Sequence, residues 1–115
     1  MPAMATKAGN ARAEVLEFSG RAEDIQEASE ALKAMAHPLR LKILCLVGHQ
    51  ELMVQEIVEA VGTSQSNISQ HLAVMRERGL LASRKDANKV FYRIDDPRIL
   101  RMIAMMREVF CSAHA

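Results

Sequence analysis

The sequence predicts a mainly α-helical domain with one small β-hairpin, an α+β arrangement within 115 residues. From Arg21 onward, apolar residues recur at the three- and four-residue spacing of amphipathic helices. Two short apolar and aromatic segments, residues 80–83 and 90–94, have instead the composition of strands. The length suits a single domain, so we expect these elements to share one core.

The helices are placed by their apolar spacing and by the residues at their ends. They are predicted over residues 21–35, 38–47, 54–61, 65–78 and 97–110. Pro38 suits a first helical turn, where its missing N–H is no loss. Ser64 is a favourable N-cap for the fourth helix, and Gly48 and Gly79 are placed to end the second and fourth helices. The polar residues 85–89 are expected to form the hairpin tip.

The third and fourth predicted helices are joined by a short turn at Gly62 and Thr63, which is typical of a helix-turn-helix. On the fourth helix, Ile68, Leu72 and Met75 share the inner face, which leaves small polar residues outward. A small polar face lets a helix approach the major groove of DNA, where amide side chains can pair with adenine. Residues 64–94 carry six basic and two acidic side chains, although the whole chain has a net charge of only +1. This clustering is expected of a surface that contacts phosphates.

The last predicted helix is apolar over more than one stripe. Its apolar residues are Ile99, Leu100, Met102, Ile103, Met105, Met106, Val109 and Phe110. A helix of this kind must be buried on more than one side. We therefore expect a homodimer formed through this helix and the helix over residues 21–35, since cyclic dimers are the commonest oligomers.

Three sequence runs together resemble the ArsR/SmtB family of bacterial repressors. They are AHPLRLKIL at 36–44, SQSNISQHL at 64–72, and GLL at 79–81 followed by VFYRI at 90–94. The resemblance implies a winged helix-turn-helix homodimer, not an enzyme, that binds an inverted-repeat operator in double-stranded DNA and releases it when an inducer binds. With the helical pattern, it predicts DNA contacts from Ser64, Gln65, Ser66, Asn67, Ser69, Gln70, His71, Arg76, Arg84, Lys85 and Lys89.

The two cysteines, Cys45 and Cys111, are arranged as in the dithiol branch of that family. That resemblance implies that a reduced pair favours DNA binding, and that a disulfide or polysulfide bridge weakens it. The inducer would then be a reactive sulfur species or another thiol oxidant, the regulated genes would serve sulfur metabolism, and no cofactor is expected. Two metal-binding patterns of the family, a cysteine pair at the third helix and Asp/His ligands along the last, are not recognisable here.

Three other interpretations stay open from the residues alone. Cys45, Cys111 and His114 are soft ligands that suit a zinc, copper or arsenic sensor. A thiol enzyme or sulfur carrier is disfavoured because the chain has no C-x-x-C motif. A dimerisation module that binds no DNA is disfavoured by the charge clustering. Cys45 by itself, among aliphatic residues, is also compatible with an ordinary buried thiol.

The domain organisation follows from these assignments. We expect residues 1–20 to be a flexible N-terminal arm, with a short helix near Val15, residues 21–113 to be the DNA-binding and dimerisation domain, and residues 114–115 to be a tail. No secretory signal or membrane span is recognisable, so the expected location is the cytoplasm, without a membrane partner. A disulfide there would be regulatory rather than structural.

Overall fold

The computed structural model describes residues 21–111 of the chain. The order of elements is α1 (Ala22–Met35), α2 (Pro38–Val47), β1 (Leu52–Met53), α3 (Val54–Val61), α4 (Gln65–Glu77), β2 (Ala82–Asp86), β3 (Lys89–Arg93) and α5 (Pro97–Cys111). The predicted arm over residues 1–20 and the tail at 114–115 lie outside the described residues. No helix in the described part is both long enough and apolar enough to span a membrane.

The chain divides into two units, residues 1–30 and residues 31–115. The described part of the first unit is the beginning of α1. There Arg21 forms an ion pair with Asp24 at 3.6 Å, and the Gln26 amide donates a hydrogen bond to Glu30 at 3.3 Å. Such exposed pairs one helical turn apart favour a helix only weakly. All remaining elements belong to the second unit.

Helix α2 begins and ends where its terminal residues predict. The side chain of His37 caps it by accepting a hydrogen bond from the Leu39 N–H at 3.2 Å, and Pro38 occupies the first turn. The helix ends at Gly48, whose N–H donates to the Leu44 carbonyl at 3.0 Å. The predicted bounds of α2 are therefore confirmed.

Helices α3 and α4 form the predicted helix-turn-helix. Gly62 ends α3 with a φ of 85°, in the left-handed region that side chains other than glycine disfavour. The Ser64 hydroxyl caps α4 by accepting from the Asn67 N–H at 3.1 Å. Helix α4 ends at Glu77, one residue earlier than predicted, because Arg78 and the left-handed Gly79 already form its C-terminal turn.

We expect Gly62→Ala to lower the free energy of unfolding by about 1 kcal/mol, because the turn requires a positive φ that alanine adopts at a cost. A Cβ at this position meets no atom within 4 Å, so the loss comes from the backbone alone. Urea denaturation at fixed protein concentration measures it. Gly62→Asn is the matched control and should lose less, since asparagine tolerates this conformation. Equal losses for both variants would contradict this explanation.

The wing is larger than the predicted hairpin. Strand β3 pairs antiparallel with β2 on one side and with the two-residue β1 on the other, giving the order β1-β3-β2. Strand β1 was not predicted. Strand β2 begins at Ala82 rather than residue 80, because the N–H groups of Leu80 and Leu81 both bond to the Met75 carbonyl at the end of α4.

The hairpin tip is shorter than predicted. Lys85, Asp86 and Lys89 belong to the strands, so only Ala87 and Asn88 form the turn. The backbone of Ala87 has a φ of 58°, which closes the turn with an uncommon conformation for a residue other than glycine. The two lysines that flank the turn therefore stand on paired backbone rather than on a loop.

One apolar core holds α2, α3, α4 and the wing together. Its fully buried large side chains are Ile43, Leu44, Val47, Ile57, Ile68, Leu72, Met75 and Leu80. As the periodicity predicted, the inner face of α4 supplies three of them. The core thus fixes the orientation of α4, and with it the direction of the polar side chains on its outer face.

Candidate nucleic-acid interface and cysteine pair

The outer face of α4 carries small polar side chains that are free to meet another molecule. Gln65, Ser66, Ser69 and Gln70 are all exposed, and none of their side chains has a hydrogen bond within residues 21–111. Because successive residues turn about 100° around a helix, Ser66 and Gln70 lie opposite the buried stripe and Ser69 lies beside it, whereas Gln65 is exposed in the first turn of α4. The sequence predicted these four as contacts to bases, and the fold brings them to one surface.

Two of the predicted contact residues have a structural task. Ser64 accepts the capping hydrogen bond from the Asn67 N–H, and the Asn67 amide donates to the Thr63 hydroxyl at 3.2 Å. These bonds satisfy groups at the beginning of α4 that the helix itself leaves without partners. Ser64 and Asn67 therefore position the four exposed residues of the outer face.

A pocket of about 240 Å³ lies between the wing and the beginnings of α3 and α4. It is lined by Met53, Val54, Gln55, Gln65, Asn88, Lys89 and Val90. The fold thus brings two of the predicted contact residues, Gln65 from α4 and Lys89 from the wing, to one concave surface. In this position the Lys89 ammonium group can contact a backbone phosphate while the Gln65 amide contacts a neighbouring base.

Arg84, a predicted DNA contact on the wing, forms an ion pair with Glu51 at the base of the wing. Its guanidinium makes two hydrogen bonds to the Glu51 carboxylate, at 2.7 and 2.8 Å, and lies 4.5 Å from the centre of the Phe91 ring. The hydrogen bonds from Arg84 hold the pKa of Glu51 below its ordinary value. Lys85 and Lys89, the other predicted cations of the wing, are exposed and have no ion pair among the described residues.

Helix α4 is held from both sides. On the side of the wing, Arg76 donates to the Ser83 hydroxyl at 3.3 Å. On the other side, the Arg40 Nε–H donates to Nδ1 of His71 at 3.1 Å, and the His37 ring lies against His71 with 4.6 Å between ring centres. Sequence reasoning missed Arg40, because it is 31 residues away from His71 and no local pattern joins them.

The two cysteines are free thiols on α2 and α5. Cys45 is half-buried on α2, and Cys111 is exposed at the end of α5. Burial raises the pKa of the Cys45 thiol, the guanidinium of Arg107 lowers it, and the thiol of Cys111 raises it further. Arg107 of α5 is therefore the cation that favours the thiolate of Cys45.

No group of three or more potential metal ligands is present among residues 21–111. His114, the third ligand of the metal interpretation, lies outside the described residues. Within residues 21–111, the thiols that a metal site of this kind would use are those of Cys45 and Cys111.

Helix α5 leaves part of its apolar surface uncovered. Ile103 is buried against the core, but Met105, Val109 and Phe110 are 59%, 63% and 73% exposed. Met102 on the same helix is also exposed. An exposed apolar patch of this kind marks a contact surface for another molecule.

A helix-turn-helix with an exposed polar α4, flanked by a wing with free lysines, defines a winged-helix DNA-binding regulator. The family model for bacterial regulatory proteins of the arsR family matches residues 37–83. The transcriptional activator HlyU of Vibrio cholerae is 42% identical over 83 residues, which cover 72% of this chain and 77% of HlyU. This chain belongs to the arsR family of transcriptional regulators.

Two further comparisons agree with that assignment. The biofilm growth-associated repressor of Xylella fastidiosa is 30% identical over 86 residues, covering 75% of each chain. The structure of reduced HlyU from Vibrio cholerae matches with a TM-score of 0.72 and 39% identity, over 77% of this chain and 94% of that one. These relatives are named as transcriptional regulators rather than enzymes. The winged-helix class predicted from the sequence is confirmed.

Proposed function

We propose that this chain is a dimeric repressor that releases its DNA operator when Cys45 and Cys111 become linked. Residues 21–113 form the DNA-binding and dimerisation domain. Helix α4 enters the major groove, and Lys85 and Lys89 contact the adjacent backbone. A persulfide or another thiol oxidant supplies the signal, which suits control of genes for sulfur metabolism.

Support for the operator comes from the outer face of α4. Its exposed serine and glutamine side chains have no hydrogen bond within residues 21–111, so base edges can satisfy them. Two such helices in a two-fold dimer read an inverted repeat, with half-sites about 34 Å apart. The uncovered apolar surface of α5 offers the dimer interface that this geometry needs.

The proposed signal is supported by the effect of one thiol on the other. Cys111 lies close enough to Cys45 to raise its pKa, although the two are 66 positions apart in the sequence. The similar structure of HlyU from Vibrio cholerae is described as that of the reduced protein, so its oxidation state was distinguished there. We infer that the residues of the pair have different tasks, because Cys111 is exposed and Cys45 is half-buried with a raised pKa.

The exposed thiolate of Cys111 attacks the outer sulfur of an organic persulfide, RSSH, and displaces RSH. Cys111 then carries the persulfide. The thiolate of Cys45 attacks the inner sulfur of that group and expels hydrogen sulfide. The protein dithiol loses two electrons and becomes a disulfide, while RSSH is reduced to RSH and hydrogen sulfide. Each further RSSH that inserts one sulfur atom into the bridge releases one RSH.

The link changes DNA affinity because it joins the two functional parts of the domain. Cys45 is on α2, which packs against α4 in the apolar core, and Cys111 is on the helix of the proposed dimer interface. A covalent bond between α2 and α5 restricts how the two protomers of the proposed dimer orient their α4 helices. A coupling of about 1–3 kcal/mol changes the affinity roughly 5- to 150-fold.

The test combines mass spectrometry with DNA binding. Reduced protein is treated with an organic persulfide or with oxidised glutathione, and peptide mapping locates the modified cysteines. Affinity is measured with a fluorescein-labelled duplex that the reduced protein itself selects from a randomised library. We expect a Cys45–Cys111 bridge in both cases, with additional sulfur only after the persulfide, and a roughly tenfold or greater loss of affinity.

Two cysteine variants test the order of events. Cys45→Ser should accumulate a persulfide on Cys111 and keep its DNA affinity, because the second step is blocked. Cys111→Ser should stay largely unmodified, since the raised pKa of Cys45 disfavours its thiolate at neutral pH. If neither oxidant bridges the two cysteines in the wild type, the thiol switch is wrong. Metal binding would then be tested by titration.

A further inference from the structure

A polar pair connects α2 with α4 at the edge of the proposed DNA surface. The Arg40 Nε–H donates to Nδ1 of His71 at 3.1 Å, and this contact is partly buried. An arginine nitrogen only donates, so Nδ1 of His71 must accept, and the proton of the neutral ring is on Nε2. The contact therefore fixes the tautomer of His71 and leaves its Nε2–H available to another acceptor.

The position of His71 on α4 places this pair beside one DNA backbone. His71 and Arg76 lie on opposite sides of the buried stripe, because each residue turns the helix by about 100°. Arg76 faces the wing, where it donates to Ser83. A helix in the major groove lies between two sugar-phosphate backbones. The wing lysines contact one of these backbones, and the other backbone lies against α4 on the side of His71.

We propose that Arg40 and His71 together bind a backbone phosphate of the operator, and that His71 takes up a proton when the DNA binds. This inference rests on the proposed binding of DNA by α4. The terminal nitrogens of Arg40 have no hydrogen bond to residues 21–111. With Nε2–H of His71, they supply donors to phosphate oxygens from two neighbouring elements.

The proton uptake follows from the charges around His71. Burial lowers the pKa of His71 in the free protein, and the nearby His37 and Arg40 lower it further. These two α2 side chains are the charged or titratable groups that act on the ring within the described part of the chain, and no carboxylate there pairs with it. A bound phosphate adds a negative charge, which raises the pKa of His71 and favours its protonation.

Protonation also strengthens the phosphate contact. Once Nδ1 carries a proton it no longer accepts from Arg40, so the Arg40 Nε–H is released towards the phosphate. Two positive groups then face the backbone instead of one. Because the bound state holds more protons than the free state, the affinity increases as the pH falls and decreases as the pH rises through the pKa of His71 in the complex.

The first measurement is the pH dependence of DNA affinity for the reduced protein at constant salt. The probe is the fluorescein-labelled duplex selected by the wild-type protein. We expect an affinity about tenfold or more higher at about pH 6 than at about pH 8, since one unit of pKa shift in a protomer corresponds to a factor of about ten. His71→Gln should have a flat profile. His37→Asn, which removes the neighbouring imidazole ring but keeps an N-cap, should retain the slope.

The second measurement is the salt dependence of the same binding at about pH 6. Each phosphate contact contributes about 0.9 to the slope of log K against log salt. Arg40→Gln should lower that slope by about two per dimer, and Arg40→Lys should restore the slope but not the pH profile. Lys42→Gln removes a charge from the same helix about 200° away, so its slope should match the wild type.

The outcomes separate this inference from the proposed function. If the wild type selects and binds a duplex but Arg40→Gln changes neither the salt slope nor the pH profile, the phosphate site is wrong and DNA binding by α4 stands. If wild-type and His71→Gln profiles coincide, proton uptake at His71 is excluded. If no duplex is selected, the proposed function itself fails. Circular dichroism at both pH values confirms that each variant is folded.

Discussion

Ser69→Glu is expected to lower the operator affinity of the reduced protein by about 100-fold or more. Ser69 lies on the exposed face of α4, without an intramolecular hydrogen bond among the described residues. A carboxylate there would project towards the phosphates and bases of the major groove, and a like charge within an interface costs several kcal/mol. The larger side chain also keeps α4 further from the groove floor. Fluorescence anisotropy with the selected duplex measures the loss.

The matched control for this variant is His49→Glu, which introduces the same charge at an exposed position after α2. Its affinity should fall only slightly, since screening weakens charges that lie more than about 10 Å from the DNA. Both variants should unfold at nearly the wild-type urea concentration, because neither position is in the core. Equal losses of affinity for the two variants would mean that net charge, and not the outer face of α4, controls binding.

Met105→Asp is expected to convert the proposed dimer to monomers and to lower operator affinity by about 100-fold or more. Met105 is 59% exposed on α5, next to the similarly exposed Val109. A carboxylate in that patch would be buried without a partner in a dimer, which is strongly destabilising. Loss of the second half-site removes an avidity of about 10²–10⁴. Sedimentation velocity gives the oligomeric state, and anisotropy gives the affinity.

Ala104→Asp is the control for the dimer prediction, because it places the same charge on a neighbouring face of α5. It should remain dimeric. Val109→Asp, in the exposed apolar patch, should behave like Met105→Asp. If Met105→Asp stays dimeric and binds the duplex as the wild type does, then this surface is not the dimer interface.

The helices were predictable because their signals are local. Pro38 and Gly48 delimit α2, and Ser64 with Gly79 delimits α4, each through a preference within one helical turn. The outer face of α4 was predictable for a similar reason, since Ile68 and its inner neighbours fix the opposite side. Such features depend little on the rest of the chain.

The wing was predicted less well because its bounds depend on distant pairing. Strand β1 has only two residues, too few for any periodicity, and it exists because Leu52 and Met53 pair with Tyr92 and Phe91. Leu80 and Leu81 are apolar like strand residues, yet their N–H groups complete the end of α4 instead. Tertiary context decided both cases.

The candidate site shows the same contrast between features set by neighbouring residues, which the sequence predicts, and contacts between residues far apart in the sequence, which it does not. Arg84, a predicted DNA contact, also pairs with Glu51, which is 33 positions away and was not predicted as its partner. Arg40 was not predicted at all, and its partner His71 is 31 positions away. Side-chain pairs at such separations leave no trace in local spacing. They become visible only when the fold brings α2, α4 and the wing together.

The direct connection between β1 and α3 makes the wing and the helix-turn-helix one rigid unit. Strand β1 continues directly into α3 at Val54, and β3 and the Arg84–Glu51 pair hold it from the side. In a two-fold dimer, strain from the cysteine link would therefore alter the separation of two intact halves rather than the shape of either. Base preference and signal response then depend on different residues, so evolution can retarget such a regulator to new operators while keeping its signal.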